Sequence, residues 1–188
     1  MTHVCLETPR LALEPYSHKY LRAVCRELTP EIVRYQFPDA FESEEAARRQ
    51  MDAFQARMEA GEMLELVILD KTEGGTFAGC LEAHGLNEPV PELGIWLKKS
   101  AQGRGYGREA LACLMDYLRR RYGRSICRYE ADRRNTGSLR LARKFRWEKV
   151  GEQEVTTPTG KRLFLEQYDL SLPCAGETGR LLFTGHPL

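Results

Sequence analysis

The sequence lacks a net charge that could dominate its behaviour. Its 188 residues include 28 lysines and arginines against 27 aspartates and glutamates, which leaves a formal net charge of +1 at pH 7. A nucleic-acid-binding protein usually presents a concentrated positive field, and this chain leaves room only for a local cationic patch. Hydrophobic residues make up 42% of the chain, too many for a disordered protein. We therefore expect a folded protein without a nucleic-acid partner.

Long apolar runs are also missing. The longest are short stretches such as residues 66–69, whereas a membrane-spanning helix needs about 20 apolar residues. Residues 1–7 do not combine a basic start with an apolar stretch, so we expect no secretory signal. These absences predict a cytoplasmic protein with no membrane partner.

Metal-ligand and disulfide spacings are absent as well. The 6 cysteines include no Cys-x-x-Cys pair, and the 4 histidines are scattered along the chain. The sequence therefore predicts no metal site, and it predicts buried thiols in a reducing compartment. The cysteines are Cys5, Cys25, Cys80, Cys113, Cys127 and Cys174.

Apolar periodicity and turn residues predict one domain of mixed secondary structure, residues 1–170, and a C-terminal extension of unknown role, residues 171–188. Strands joined by short turns pair antiparallel, and a strand–helix–strand segment makes a crossover. The pattern predicts an α/β fold with a mixed, mostly antiparallel sheet of about seven strands. The predicted strands are 11–15, 64–69, 76–83, 92–98, 125–131, 147–155 and 162–170, and the main helices are 17–27, 43–61, 105–122 and 136–145.

The most informative segment is the glycine-rich stretch 102–107 between a predicted strand and a predicted helix. Glycine permits a close backbone approach to a ligand, and the start of a helix offers free N–H groups to an anion. No Gly-Lys-Ser/Thr ending is present, which excludes a P-loop, and the Gly-x-Gly-x-Gly spacing disfavours a Rossmann dinucleotide site. Nearby cations are Lys98, Lys99, Arg104 and Arg108.

Several motifs, in order, carry a resemblance to a known family. Gln102, Gly105 and Gly107 match the pattern Gln/Arg-x-x-Gly-x-Gly/Ala after a strand. Segments 6–13 and 92–97, the pair Asn135-x-x-Ser138, and segment 144–147 agree with it. Over residues 6–170 the chain thus resembles the GNAT N-acetyltransferases, and among them the ribosomal-protein-alanine acetyltransferases (the RimJ/RimL-like branch).

The resemblance implies a GNAT-like sheet with helices on both faces, splayed between its fourth and fifth strands. Acetyl-coenzyme A, the acyl donor, would then bind in that gap, with no metal required. The fourth strand would hydrogen-bond the pantetheine arm, the glycine loop would hold the pyrophosphate, and Asn135 would contact the coenzyme while also capping a helix. The implied coenzyme-binding residues are Gly94, Ile95, Trp96, Leu97, Gln102, Gly103, Arg104, Gly105, Tyr106, Gly107, Arg108 and Asn135.

Direct acetyl transfer needs a neutral amine, a donor for the oxyanion and a proton for the departing thiolate. A backbone N–H near residues 95–97 is the expected oxyanion donor. Many family members carry a tyrosine acid seven residues after the asparagine, but that position is Ala142 here, so Ser138 is the candidate catalytic acid. Glu92 is the candidate catalytic base, with Glu82 a weaker one, and a site without a strong base, in which solvent deprotonates the amine, is the alternative. Ser138 could instead satisfy helix-start backbone groups, and Glu92 could be a solvated acid.

The chain departs from the family pattern at Arg146, where a glycine usually allows a tight helix-to-strand turn. We expect this change to affect that turn and not the coenzyme loop. Trp147, which follows, is expected to pack in the core, with lining of the acceptor cleft as the alternative.

The sequence predicts an acetyl-coenzyme A-dependent N-acetyltransferase that acts in a ternary complex on a primary amine, either a protein N-terminus or a small molecule. A non-catalytic coenzyme A-binding sensor or regulatory module is the alternative. We expect a monomer or homodimer. The acceptor surface would come from residues 17–61 and the loop 156–161; acids there either attract a cationic amine or form a solvated face. These acids are Glu31, Asp39, Glu42, Glu44 and Glu45.

Overall fold

The computed structural model describes residues 4–172. Cys174 and residues 173–188, most of the predicted C-terminal extension, lie outside the described residues, so the division at residue 170 stays a prediction. In chain order the strands and helices are β1 (Leu6–Glu7), β2 (Leu11–Pro15), α1 (Leu21–Glu27), α2 (Glu44–Glu59), β3 (Met63–Asp70), β4 (Thr76–His84), β5 (Glu92–Leu97), α3 (Tyr106–Tyr122), β6 (Ile126–Asp132), α4 (Thr136–Ala142), β7 (Arg146–Thr156) and β8 (Arg162–Ser171).

The strands form one open sheet in the order β1-β2-β3-β4-β5-β6-β8-β7. Every neighbouring pair is antiparallel except β5 and β6, which are parallel. This confirms the predicted α/β class and the mostly antiparallel sheet. Sequence analysis did not separate β1 from β2. A turn divides the two strands, and a hydrogen bond from the Thr8 N–H to the Leu11 carbonyl closes it.

Strand β3 organises the packing because both of its faces are buried. Leu66 and Ile68 belong to the core cluster that α3 covers, and Val67 and Leu69 belong to the cluster that α1 and α2 cover. Since successive side chains of a strand point to opposite faces, helices lie on both sides of the sheet, as the resemblance implied. No helix among residues 4–172 is long and apolar enough to cross a bilayer.

The helix ends follow local chemistry. Ser43 caps α2 by accepting a hydrogen bond from the Ala46 N–H. Ser17 makes no such cap, and the predicted helix from residue 17 instead begins as a 3₁₀ turn, His18–Tyr20, before α1. Of the five described cysteines, all of them free thiols, Cys80, Cys113 and Cys127 are buried as predicted, whereas Cys5 is exposed.

The structure corrects the expectation for Trp147. This residue lies on β7, the edge strand of the sheet, and is 47% exposed, with its ring against Tyr168 at 5.6 Å. Edge position explains the exposure, because no further strand or helix covers most of β7. The preceding Arg146 simply opens β7, and no non-glycine residue in the described range has a positive φ. The turn therefore does not use the conformational freedom of the family glycine.

The parallel pair β5–β6 is very short. It is registered only at Glu92 opposite Arg128 and Leu93 opposite Tyr129. Beyond that point β5 continues through Gly94–Leu97 paired with β4 alone. The sheet is thus splayed at the predicted place, and one backbone edge of β5 faces a gap.

Candidate functional site

Two cavities meet at the gap between β5 and β6. One of about 680 Å³ borders the glycine-rich stretch, and we call it the loop cavity. The other, of about 490 Å³, is bordered by Glu65, Glu82, His84 and Glu92, and we call it the acidic cavity. Both are lined by Ile95, Trp96, Tyr129, Asn135 and Ser138. A ligand in either cavity can therefore reach the same short segment of β5 and the start of α4.

The glycine loop presents backbone donors to the loop cavity. Gly103 and Gly105 have φ values of 75° and 82°, a left-handed conformation that other residues rarely adopt. Helix α3 begins at Tyr106 without a side-chain cap, so the first N–H groups of the helix have no partner among the described residues. A row of free N–H groups at the positive end of a helix dipole suits a phosphate anion.

Tyr106 anchors this loop to the sheet. Its hydroxyl donates to the buried Asp70 at 2.7 Å, and its ring contacts the guanidinium groups of Arg10 and Arg104, which lie 4.8 and 4.7 Å from the ring centre. Asp70 also accepts from Thr72, and these contacts outweigh desolvation and lower the pKa of its carboxyl. The loop is thus fixed by a buried, fully bonded carboxylate.

A second contact fixes the first turn of α3. Glu109 accepts hydrogen bonds from the Thr8 hydroxyl and from the backbone and guanidinium of Arg10, the last at 2.7 Å. Arg10 also donates to the Arg104 carbonyl at 2.9 Å. The turn between β1 and β2 therefore holds the glycine loop from behind.

The cations around the loop differ in part from those noted in the sequence. Lys99 and Arg108 line the loop cavity, whereas the Arg104 side chain turns away and pairs with Asp70 and Glu73. Arg140 of α4 and Lys144, in the turn that follows the helix, also line the cavity. Sequence analysis did not single out these two residues, because only the fold shows which cavity they border.

Ser138 lies at the junction of the cavities. Its hydroxyl is 2.7 Å from the phenol oxygen of Tyr129, and its backbone N–H donates to the Asn135 side chain at 3.1 Å. Asn135 is therefore the helix N-cap, one of its two expected roles. Burial raises the pKa of the Tyr129 phenol. Sequence analysis missed Tyr129, because only the fold brings β6 against the first turn of α4.

The acidic cavity lies on the sheet face that α1 and α2 cover. Glu82 pairs with the His84 ring at 3.0 Å, and this contact lowers the pKa of Glu82 despite burial and raises that of His84. Glu65 is buried, and desolvation, with the neighbouring Glu82, raises its pKa well above the usual value. Burial and Glu130 raise the pKa of Glu92.

The predicted acids of the helical segment contribute little to this cavity. Glu31 borders the loop cavity and pairs with Lys99. Asp39 pairs with Lys161, and Glu45 pairs with Arg49. The acids that do line the acidic cavity come from the strands, and aromatic side chains complete its walls. These aromatics are Tyr16, Tyr35, Phe37, Phe41, Phe54, Trp96 and Tyr129.

A splayed sheet with a glycine loop at the open strand defines the class of protein as an acetyltransferase of the GNAT fold. A family model described as the acetyltransferase (GNAT) domain matches residues 10–148. The chain therefore belongs to the GNAT family and is an acetyl-coenzyme A-dependent N-acetyltransferase. This confirms the resemblance and the enzyme class expected from the sequence.

Solved structures of low sequence identity share the fold. RimL, a ribosomal L7/L12 alpha-N-protein acetyltransferase in complex with coenzyme A, aligns with a TM-score of 0.78 at 18% identity over 90% of this chain and 98% of that one. A spermidine N-acetyltransferase from Vibrio cholerae, in complex with coenzyme A and spermine, gives 0.73 at 16% identity over 86% and 95%. The Salmonella typhimurium enzyme that modifies the N-terminal serine of L7/L12 gives 0.74 at 19% over 88% and 97%. No curated protein matches the sequence.

The Glu82–His84 pair predicts a pH-dependent stability. A raised pKa means that the protonated ring stabilises the fold below its ordinary pKa of about 6.5, and that this stabilisation disappears as the pH rises through the folded value. His84→Gln should lower the free energy of unfolding by about 1.5 kcal/mol near pH 5.5 and much less near pH 9.

Urea unfolding of the wild type and of His84→Gln at the two pH values measures the change in the free energy of unfolding. His18→Gln is the matched control, because His18 and Asp52 form a pair on the surface, where ion pairs contribute little. A difference for His84→Gln that grows with pH would contradict the pairing.

Proposed function

We propose that this enzyme transfers the acetyl group of acetyl-coenzyme A to a primary amine by direct attack in a ternary complex. The observation that carries the proposal is the meeting of two cavities of opposite character at Ile95, Tyr129 and Ser138. The loop cavity offers cations and free N–H groups to an anionic cosubstrate. The acidic cavity offers carboxylates to an amine. Both substrates can thus occupy the enzyme together.

The residues at the loop cavity fit coenzyme A. The N–H groups from Gly103 to Gly107 suit the pyrophosphate, and Lys99, Arg108, Arg140 and Lys144 supply positive charge. The free edge of β5 over Gly94–Leu97 suits the pantetheine amides, which would extend the sheet as an added strand. Gln102 supports this edge by donating from its side chain to the Leu97 carbonyl at 3.0 Å.

The junction supplies the groups that acetyl transfer requires. A backbone N–H of β5 near Ile95 would stabilise the oxyanion, and the Ser138 hydroxyl would donate a proton to the thiolate. Tyr129 holds that hydroxyl in place through their 2.7 Å hydrogen bond and acts as a positioning residue. Glu92, at the start of β5, keeps its place as the sequence-based candidate for the base.

The acceptor is a primary amine, either a protein N-terminus or a small molecule. Two supports come from relatives of the same fold, one acting on ribosomal protein L7/L12 and one bound to spermine. The third is the acidic and aromatic wall of the cavity, which favours a cation. No described cysteine lines either cavity except Cys80, which is buried with a raised pKa and so is a poor nucleophile for a covalent route.

A panel of primary amines tests the function. With acetyl-coenzyme A, a small cationic amine or a peptide with a free N-terminus should release free thiol and yield the acetylated amine by mass spectrometry. Binding of acetyl-coenzyme A without thiol release from any amine would favour the sensor alternative. Absence of binding by calorimetry would contradict both.

Gly105→Ala should weaken coenzyme A binding. Alanine at a φ of 82° strains the loop, and its Cβ would lie 3.4 Å from the Arg10 guanidinium that holds the loop. Because the strain would shift the loop N–H groups that bind the pyrophosphate, we expect a loss of about tenfold or more in affinity. Gly123→Ala is the matched control, since it imposes the same strain at a φ of 69° on the far end of α3, with open space around the new Cβ. Calorimetry should show normal affinity only for the control; equal affinity for both variants would argue against the loop.

Ser138→Ala should lower kcat about 100-fold while changing the KM for acetyl-coenzyme A little, because the hydroxyl acts on the departing thiolate. Tyr129→Phe should lower kcat by less, since it removes only the orienting hydrogen bond. Ser125→Ala, at an exposed position before β6, serves as the control. Steady-state thiol release measures kcat and KM for each variant. An unchanged kcat for Ser138→Ala would remove this residue from the mechanism.

A further inference from the structure

We infer that four arginines beside the acidic cavity bind acidic residues that follow the amino group of the acceptor, so that the acceptor is the N-terminus of an acidic polypeptide segment. This inference rests on the proposed function and names the substrate class of the same site. We call the four residues the arginine rim. They are Arg34, Arg133, Arg134 and Arg162.

The first support is that three guanidinium groups gather around one aromatic ring, that of Phe164 in β8. Those of Arg133, Arg134 and Arg162 lie 4.6, 5.1 and 5.4 Å from the centre of this ring. The ring attracts each cation, but the cations repel one another, and they come from two parts of the chain, the turn after β6 and the start of β8. An anion bound among them would reduce this repulsion.

The second support is that the arginine rim carries more positive charge than its neighbours neutralise. Two of the four arginines pair with carboxylates, which are those of Asp132 and Glu154. The other two, Arg34 and Arg133, are exposed, and neither forms an ion pair within the part of the chain that the structure describes. Carboxylates of an incoming chain would supply the missing partners, since the planar guanidinium group suits a carboxylate.

The third support is that the arginine rim adjoins the cavity in which the amine is proposed to bind. Arg134 donates two hydrogen bonds to Asp132, at 2.8 and 2.7 Å, and lies 5.1 Å from the centre of the Tyr35 ring. Both of these partners line the acidic cavity. Arg134 also directly precedes Asn135, which caps the helix turn that carries Ser138. Because an extended chain advances about 3.3 Å per residue, an acceptor bound near Ser138 would reach the rim within a few residues.

The fourth support is that the segment carrying Arg34 is fixed against the turn between β7 and β8. Lys161 in that turn donates to the carbonyl oxygens of Val33 and Gln36 at 2.9 and 2.7 Å, and its ammonium group pairs with Asp39. One lysine thus holds both sides of Arg34 through the backbone. A positioned cation loses less conformational entropy on binding than a mobile one, so the rim is prepared for an anion.

Charge and extent favour an acidic polypeptide over other ligands of the arginine rim. A polyamine carries positive charge only, and the rim would repel it. A nucleic acid requires a broad positive field, whereas the rim includes two carboxylates of its own and the whole chain has a net charge of +1. The rim draws on three segments of the chain, which is wider than the single carboxylate of a free amino acid. An N-terminus followed by several acids matches both the acidic cavity and the rim.

Three matched peptides test the inference. Each has about ten residues and a free N-terminal serine, and its second to fourth residues are aspartates, asparagines or lysines. With acetyl-coenzyme A, kcat/KM should be about tenfold higher for the aspartate peptide than for the asparagine peptide, lowest for the lysine peptide, and less different in about 0.5 M salt. Equal values for the three peptides, or a higher kcat/KM for spermine than for the aspartate peptide, would overturn the inference and leave the proposed function intact.

Charge reversal assigns the preference to the arginine rim. Arg34→Glu and Arg133→Glu change exposed side chains, so the fold should persist. Each should reduce the preference for the aspartate peptide, and the double variant should prefer the lysine peptide, with unchanged affinity for acetyl-coenzyme A. Arg121→Glu is the matched control, because Arg121 is exposed and lies over the ring of Tyr122 as Arg34 lies over that of Tyr35. A preference for the aspartate peptide in the double variant equal to that of the wild type would overturn the assignment.

Binding of a peptide that cannot react tests the rim without turnover. The aspartate peptide with an acetylated N-terminus and a fluorescent label should bind the wild type at least about threefold more tightly than its asparagine counterpart, by fluorescence anisotropy, and Arg133→Glu should abolish the difference. Acetyl transfer without this difference in binding would overturn the rim alone. Binding without transfer to any amine would overturn the proposed function and, with it, the acceptor role of the rim. A single-stranded RNA that binds more tightly than the peptide and loses affinity in Arg133→Glu would assign the rim to nucleic acid and overturn the inference.

Discussion

The separation of β5 from β6 is the constraint on which the site depends. A parallel ladder of two residue pairs joins these strands and then ends, so the sheet is continuous at one end of β5 and open at the other. Parallel neighbours require a crossover, and here α3 provides it. The chain must therefore leave the open end of β5 and turn into α3 beside the gap. Topology thus places the glycine loop beside the free strand edge, and the hydrogen bond from the Gln102 side chain to the Leu97 carbonyl joins the two.

The pairing register of β3, β4 and β5 explains why carboxyl groups line the acidic cavity. Residues opposite one another in an antiparallel sheet share a face, and the ladders place Glu65, Glu82 and Gly94 in one row across three strands. His84 and Glu92 form the next row on that face. A row of two acids ending in a glycine brings carboxyl groups against β5 while leaving room for them. The acidic character is therefore built into the sheet, and the helices only cover it.

Sequence reasoning found what is local and missed what depends on register. The glycine loop, the cap at Asn135 and the Ser138 position follow from spacing along the chain. Glu65 lies in an apolar strand, and its position opposite Glu82 follows only from the pairing of β3 with β4. The contact of Tyr129 with Ser138 could not be predicted from the sequence, because it depends on the packing of α4 against β6. Trp147 was placed in the core because hydrophobicity does not reveal that β7 is the edge of the sheet.

The charged residues near the junction are divided between the two cavities. The loop cavity is lined by the cations Lys99, Arg108, Arg140 and Lys144, and the acidic cavity is lined by acids from β3, β4 and β5. Opposite potentials on two sides of a junction favour an anion in one cavity and a cation in the other. Each substrate is also disfavoured in the wrong cavity by like charge. A strongly basic protein would hold the coenzyme as well but would repel an amine, whereas separated charges would suit both of the proposed substrates at one short strand edge.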